Sequence, residues 1–201
     1  CTALTKITIP GNVNTIGSSA FKDCTRLGTV TIQHGVTEIA RSAFEGCSNL
    51  LNITIPGSVA TIGYRAFRDC SRLSKVIVQT GVTVIDQYAF YNCGGLSSIS
   101  LPNTLVEIKG SAFCNCSNLS SITIPGSVQS IGNYAFQKCG LQSLTLSNGV
   151  GNIGYGTFKE CSRLTSVKIP GTMDTIGNYA FEDCTSLKTV TIEQGVFSIN
   201  Y

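Results

Sequence analysis

The side chains with the most chemistry in this chain are ten cysteines and a single histidine. A thiolate is a nucleophile and a metal ligand, and an imidazole is the usual general base near neutral pH. Spacing decides between these uses. Nine cysteines stand on a 23-residue ruler: Cys1, Cys24, Cys47, Cys70, Cys93, Cys116, Cys139, Cys161 and Cys184, with only the step to Cys161 one residue short. Zinc sites built from cysteine pair their ligands about two to four residues apart. Only Cys114-Asn115-Cys116 comes near that spacing, and no second pair or histidine accompanies it. Thiols stacked at equal intervals do not readily reach the dihedral of about 90° that a disulfide needs. The ladder is therefore predicted to be a column of small buried hydrophobes. Cys114 stands off the ladder, in register with Lys22, Glu45, Arg68, Gln137, Lys159 and Glu182. It is predicted to point outward as an exposed reactive thiol.

The remaining chemical signals dissolve into the same repeat. His34 sits in a Gln33-His34-Gly35 turn, and without a second histidine the nucleophilic triads lose their usual base. Glu45, Glu160, Glu182 and Asp183 are spread along the array rather than paired across a cleft. Gly149-Val150-Gly151-Asn152-Ile153-Gly154, with Asp174 following, spells a dinucleotide fingerprint. Gly149 is a turn glycine of the repeat, however, and no long helix is predicted to present its N-terminus to a pyrophosphate. The sequence predicts no enzyme, no catalytic residue, no cofactor and no metal.

A phenylalanine keeps the cysteine beat, at Phe21, Phe44, Phe67, Phe90, Phe113, Phe136, Phe158 and Phe181. A fixed period of this size is the mark of a solenoid, in which each coil stacks on the last. Each coil opens with L-x-x-I/V-x-I, as at Leu27, Val30 and Ile32, or Leu119, Ile122 and Ile124. That alternation of β-branched residues predicts a strand with one face buried. A turn and V-x-x-I follow, predicting a second short extended piece. The A-F pair, such as Ala66-Phe67, is predicted to lie in about one turn of helix or 3₁₀ structure, too short to stand alone. Pro10-Gly11, Pro56-Gly57, Pro125-Gly126 and Pro170-Gly171 suit a type II turn with proline at i+1 and glycine at i+2, with Pro102-Asn103 as the near equivalent. Gly35, Gly81, Gly149 and Gly195 arrive one place later, and the two turn forms mostly alternate. The array is predicted to run from Cys1 to Tyr201 as a single domain. No capping coil is visible, so it reads as a fragment of a longer protein.

The pattern L-x-x-I-x-I-P-G-S-V-x-x-I-G-x-x-A-F-x-x-C resembles the BspA-like, or Treponema-type, leucine-rich repeat over essentially the whole chain. Thr157 in place of the alanine, and the missing residue near Gly140, are its main departures. The resemblance implies an α/β repeat solenoid. This is a leucine-rich-repeat horseshoe of about nine 23-residue coils, with a parallel β-sheet on the concave face and short helical turns and short extended segments on the outer face. It also implies a surface or secreted adhesion protein, hence an extracellular or cell-surface location.

The strands display 27 outward x positions, of which ten are threonine, eight serine, four lysine and none acidic. Lys6, Thr8, Thr29, Thr31, Asn52, Thr54, Lys75, Ser98, Ser100, Ser121, Thr123, Lys168 and Lys188 belong to this face. Leu51 and Ile77 break its polar character and form a candidate apolar contact centre. The face is predicted to bind a protein or glycan, with a mild preference for an acidic protein patch or charged glycan. A structural spacer displaying other domains is the second reading. A remote third is an ice-binding threonine array, interrupted at Ile77 and Lys168 and poorly matched by a curved sheet. Only 12% of residues are charged and the net charge is +3, with no basic run interleaved with aromatics, which argues against nucleic acid. No stretch approaches the roughly 18 apolar residues of a membrane span.

Overall fold

The computed structural model describes residues 1–200 as a parallel β-solenoid of eight complete coils and part of a ninth. Tyr201, the predicted end of the array, lies outside the described residues. The first strand of each coil follows the L-x-x-I-x-I segment: β1 (Lys6–Ile9), β3 (Thr29–Ile32), β5 (Asn52–Ile55), β7 (Lys75–Val78), β9 (Ser98–Ser100), β11 (Ser121–Ile124), β13 (Ser143–Leu146), β15 (Ser166–Ile169) and β17 (Thr189–Ile192). Two-residue strands follow in the V-x-x-I segments: β2 (Thr15–Ile16), β4 (Glu38–Ile39), β6 (Thr61–Ile62), β8 (Val84–Ile85), β10 (Glu107–Ile108), β12 (Ser130–Ile131), β14 (Asn152–Ile153), β16 (Thr175–Ile176) and β18 (Ser198–Ile199). The short strands pair in parallel as one continuous nine-stranded sheet. Register advances by one repeat per coil, as in Ile7↔Val30 and Ile53↔Val76. The shortened repeat appears as Ser121↔Ser143. Gly140 makes that shortening possible, since a Cβ there would sit 2.0 Å from the Ser117 carbonyl oxygen.

Between the sheets runs a core of Leu, Ile, Val, Ala, Phe and Cys columns. The phenylalanine rings from Phe21 to Phe181 form an unbroken stack, with centroids 5.1–5.4 Å apart and planes within 11°. No coil encloses its own ring. Burial comes from the neighbours on both sides, which makes stability a sum of coil and interface contributions.

The third side of each coil corrects the predicted helical turn. No helix forms there among the described residues. Ser19 and Asp23 have φ of +57° and +54°, and two turns close around them, through Ala20 N–H to Gly17 C=O (3.1 Å) and Cys24 N–H to Phe21 C=O (3.2 Å). The intervening N–H groups of Ser19, Phe21 and Asp23 donate to Arg41, Ala43 and Glu45 of the next coil. A helix would turn these donors back along its own chain. Here they are spent on the neighbouring coil, and a left-handed residue every fourth position keeps them aimed there.

The turn forms also differ from expectation. Val13 N–H bonds to Pro10 C=O (3.0 Å) and Val59 N–H to Pro56 C=O (3.0 Å). Proline thus sits at position i, not i+1. The positive φ belongs instead to Gly35, Gly81, Gly149 and Gly195, at +99° to +119°. Glycine after proline answers a different need: a Cβ on Gly57 would sit 1.8 Å from the Thr80 carbonyl oxygen of the coil that follows. A proline turn therefore nests tightly against the glycine turn after it.

Proline also decides where the long-strand sheet breaks. In the non-proline coils the residue after the strand donates its N–H to the preceding strand's last carbonyl: Gln33 to Ile9 (3.0 Å), Gln79 to Ile55 (3.0 Å), Ser147 to Ile124 (3.1 Å) and Glu193 to Ile169 (3.0 Å). Pro56, Pro102, Pro125 and Pro170 stand at that position and have no N–H to give. The consequences fall on those four junctions. β3 and β5 retain only the Thr29↔Asn52 pairing. β9 is cut to three residues. The sheet stops between β9 and β11 and again between β13 and β15.

Candidate binding face

All fifteen predicted face residues lie on the long-strand side. Fourteen are exposed, and Ile77 is half-buried. The alternation is clean in most strands: in β3, Thr29 and Thr31 face solvent while Val30 and Ile32 are buried. The structure nevertheless does not present a uniform hydroxyl lawn. At the break between β9 and β11 the strands diverge around a groove of about 370 Å³. Ser98, Ser100, Ser121 and Thr123 form its walls, joined by Ser143 and Thr145, while Ile99, Leu101 and Ile122 supply an apolar floor. A second groove, of about 270 Å³, lies along the weakened β3–β5 junction and is lined by Thr29, Thr31, Asn52 and Thr54. Both grooves are products of a proline that cannot complete the ladder.

Ser143, Thr145 and Pro125 are missing from the sequence prediction. The signal for them was present in Pro102 and Pro125, where two successive coils end their strands in proline. Only the missing N–H, placed against a neighbour, gives that signal its meaning.

Other predicted features are rearranged. Leu51 and Ile77 are offset along their adjacent strands. Ile77 is directly opposite Thr54, and Ser74 N–H bonds to Leu51 C=O, which aligns Leu51 three residues before Ile77. At about 3.3 Å per residue this separates them by roughly 10 Å along the strand. Leu51 is 43% exposed and stands alone.

The positive bias of the face is also reduced. Glu193, in the turn of the next coil, reaches Lys168 at 2.6 Å. The hydrogen bond from Lys168, helped by the Gly171 N–H, holds the Glu193 carboxyl below its ordinary value. Lys6, Lys75 and Lys188 have no ion pair among the described residues.

Cys114 is a clear correction. It is buried at 6% exposure, not outward and reactive. Its Sγ lies 3.7 Å from Gln137 Oε1. The backbone register places it between Tyr91 and Gln137 of the adjacent coils. Burial pushes this thiol up to about 11, leaving little thiolate at neutral pH. Cys1 is exposed instead.

The ladder cysteines are buried from Cys24 to Cys184, and they are more than small hydrophobes. From Cys47 onward each donates its S–H to the phenylalanine carbonyl of the coil before it: Cys47 to Phe21 (3.1 Å), Cys70 to Phe44 (3.2 Å), Cys93 to Phe67 (3.1 Å), Cys116 to Phe90 (3.3 Å), and likewise through Cys184 to Phe158 (3.2 Å). Desolvation pushes the Cys47 thiol up to about 12 and raises Cys70, Cys93 and Cys161 further. These groups stay protonated donors. The dinucleotide-like letters at Gly149–Gly154 span a turn and β14, with no helix following among the described residues.

Comparison with known proteins is consistent with this geometry. A leucine-rich repeat protein of T. pallidum superposes with a TM-score of 0.75 at 28% identity, covering 92% of this chain and 78% of that one. A leucine-rich repeat protein of Bacteroides ovatus gives a TM-score of 0.56 at 25% identity, covering 99% and 75%. The pneumococcal vaccine antigen PcpA shares the fold at 19% identity, with a TM-score of 0.56 and 51% of its own length covered. No curated protein matches by sequence. The description of the BspA type leucine rich repeat region matches in six copies across residues 1–102 and 83–201. With the cysteine, phenylalanine and strand columns all in register over that span, this chain belongs to the BspA-type leucine-rich repeat family.

Proposed function

We propose that the chain is a non-catalytic recognition module on the cell exterior, binding a protein or glycan through its long-strand face. The carrying observation is the β9–β11 groove. It joins hydroxyls from three successive strands to an apolar floor, and a shaped concavity with a few polar groups is the usual form of a ligand site. Exposed Lys6, Lys75 and Lys188 give the face a residual positive character that favours an acidic protein or charged glycan. A location outside the cell is supported by the resemblance to surface repeat proteins. The long-strand side is the one that the resemblance makes concave.

The test is a binding screen against immobilised extracellular-matrix proteins and glycans, using the intact chain. Thr123→Arg and Ser100→Arg fill the groove from exposed positions without touching the core. A ligand of the groove should lose at least about tenfold in affinity with either variant, equivalent to roughly 1.4 kcal/mol. Unchanged binding of every captured ligand by both variants would remove the groove from consideration.

A further inference from the structure

A second concave site lies on a different side of the solenoid and is independent of the long-strand face. The residue at the first left-handed position of each coil projects from the turn side in one column. In three successive coils these residues are Tyr88, Ser111 and Tyr134, with φ of +59°, +54° and +57°. Equal backbone geometry places the three residues at the same position of successive coils. The same column carries Ser19, Ser42, Arg65, Gly156 and Tyr179 in other coils, and Ser111 leaves a one-coil gap between two tyrosines. The gap is a cleft of about 540 Å³ between Tyr88 and Tyr134. Its floor is the backbone at Gly110 and Gly132, which approach so closely that a Cβ on Gly132 would sit 2.5 Å from the Gly110 nitrogen.

The two walls are held from outside the cleft. Tyr88 meets Tyr64 and Tyr91 edge-on at 5.8 and 5.6 Å, with the Arg65 guanidinium 5.5 Å from its ring centroid. Tyr134 meets Tyr155 at 5.3 Å. None of these partners belongs to the coil of Ser111. The coil rise on this side is set by the Phe90–Phe113 and Phe113–Phe136 spacings of 5.3 and 5.1 Å. Two rises separate the tyrosine positions by about 10 Å, so a ring seated midway would lie about 5 Å from each, within the usual 4.5–7 Å for ring contacts.

The rim of the cleft selects the kind of ring. Asn133 accepts the Tyr155 N–H at its Oδ1 (2.9 Å), which fixes the amide and leaves Nδ2 as a donor. Lys109 is anchored by Asp86 at 3.1 Å. Gln87, Glu107 and the Ser111 hydroxyl complete the lining. A flat hydrocarbon ring would leave these groups unpaired, which is costly once water is excluded. A pyranose offers C–H faces to the two phenols and hydroxyls to the amides, carboxylate and serine at its edge. The geometry points to a monosaccharide-sized carbohydrate site in the Tyr88–Ser111–Tyr134 cleft, taking one residue of a neutral glycan.

The experiment uses the intact isotope-labelled chain and follows backbone amide shifts. It is titrated in turn with trisaccharides built from glucose, N-acetylglucosamine, galactose or mannose. At least one should shift the amides of Gly110, Ser111 and Gly132, with a dissociation constant of about 1 mM. Ser111→Tyr, which places a third ring between Tyr88 and Tyr134 and fills the cleft, should abolish those shifts. Tyr134→Asn, which keeps a residue tolerant of the left-handed backbone, should weaken binding by about tenfold. The assignment is overturned if none of the four sugars moves these amides, or if the shifts persist in folded Ser111→Tyr. It also fails if the shifts fall on Ser100 and Thr123 instead, or if N-acetyl-tyrosinamide moves the cleft amides and the sugars do not.

Discussion

Replacing Cys93 tests what the cysteine ladder is for. Its side chain is fully buried, and its Sγ lies 3.1 Å from the Phe67 carbonyl oxygen. That carbonyl already accepts the Cys70 N–H at 3.3 Å, so the thiol supplies its second donor. Cys93→Ala deletes one sulfur from a packed column and removes the donor. The lost burial is comparable to one methylene, about 0.8 kcal/mol, and a weak hydrogen bond adds about 0.5 kcal/mol. Cys93→Ser also gives up the apolar sulfur, but its hydroxyl donates to the same carbonyl. Serine should therefore be no worse than alanine, with both near 1 kcal/mol of destabilisation. If the ladder were only a hydrophobic column, the serine hydroxyl would be buried without a partner, costing roughly 1–3 kcal/mol more than alanine. The two accounts predict opposite orders. Urea denaturation of the three proteins, followed by circular dichroism with equal m-values required, reads that order directly. In a chain of this size, 1 kcal/mol corresponds to about 2–4 °C in melting temperature. Serine falling more than about 1 kcal/mol below alanine would refute the donor role.

Two further outcomes follow from the same geometry. Brief alkylation of the native protein should modify Cys1 well before Cys114, as read by peptide mass spectrometry, because Tyr91 and Gln137 flank the latter. Equal labelling rates would contradict that burial. Glu193 should titrate below the ordinary carboxylate value near 4.3. A folded-state value depressed in this way contributes stability that is fully present above the unfolded value and is lost as pH falls through the folded one. Amide protection around Gly171 and Glu193 should thus weaken on acidification through that window, and Glu193→Gln should flatten the response; an unchanged profile in the variant would assign the effect to other groups.

The architecture was legible because a solenoid states its rule once per coil. The spacing of Cys24, Phe21 and Leu27 recurs until only one stacking satisfies all three. Less legible was whatever depends on a neighbour's backbone. The Ala66-Phe67 segment carries helix-compatible residues, yet the N–H groups of Arg65, Phe67 and Asp69 are claimed by the next coil, and the left-handed conformation of Arg65 and Asp69 has no glycine to announce it. Cys114 shares its column with charged residues, so its type and register pointed outward. In the fold it is buried, with Gln137 Oε1 against its Sγ. The strand alternation made the exposed hydroxyl side legible, but its grooves depend on hydrogen bonds that prolines fail to make.

A perfectly periodic array gives a ligand no reason to prefer one coil over another. Recognition of a single ligand needs a place where the repeat is broken. Two such breaks fall in the same pair of coils. Pro102 followed by Pro125 interrupts the long-strand sheet between β9 and β11, and the small Ser111 falls between Tyr88 and Tyr134 on the turn side. The interior meanwhile remains regular across both: Phe90, Phe113 and Phe136 stack without a step, and β10 pairs with β8 and β12 on either side. The solenoid thus carries surface irregularity on two sides of a core that does not register it. Substitutions at Ser100, Thr123 and Ser111 can accordingly alter binding while leaving the stacked columns intact.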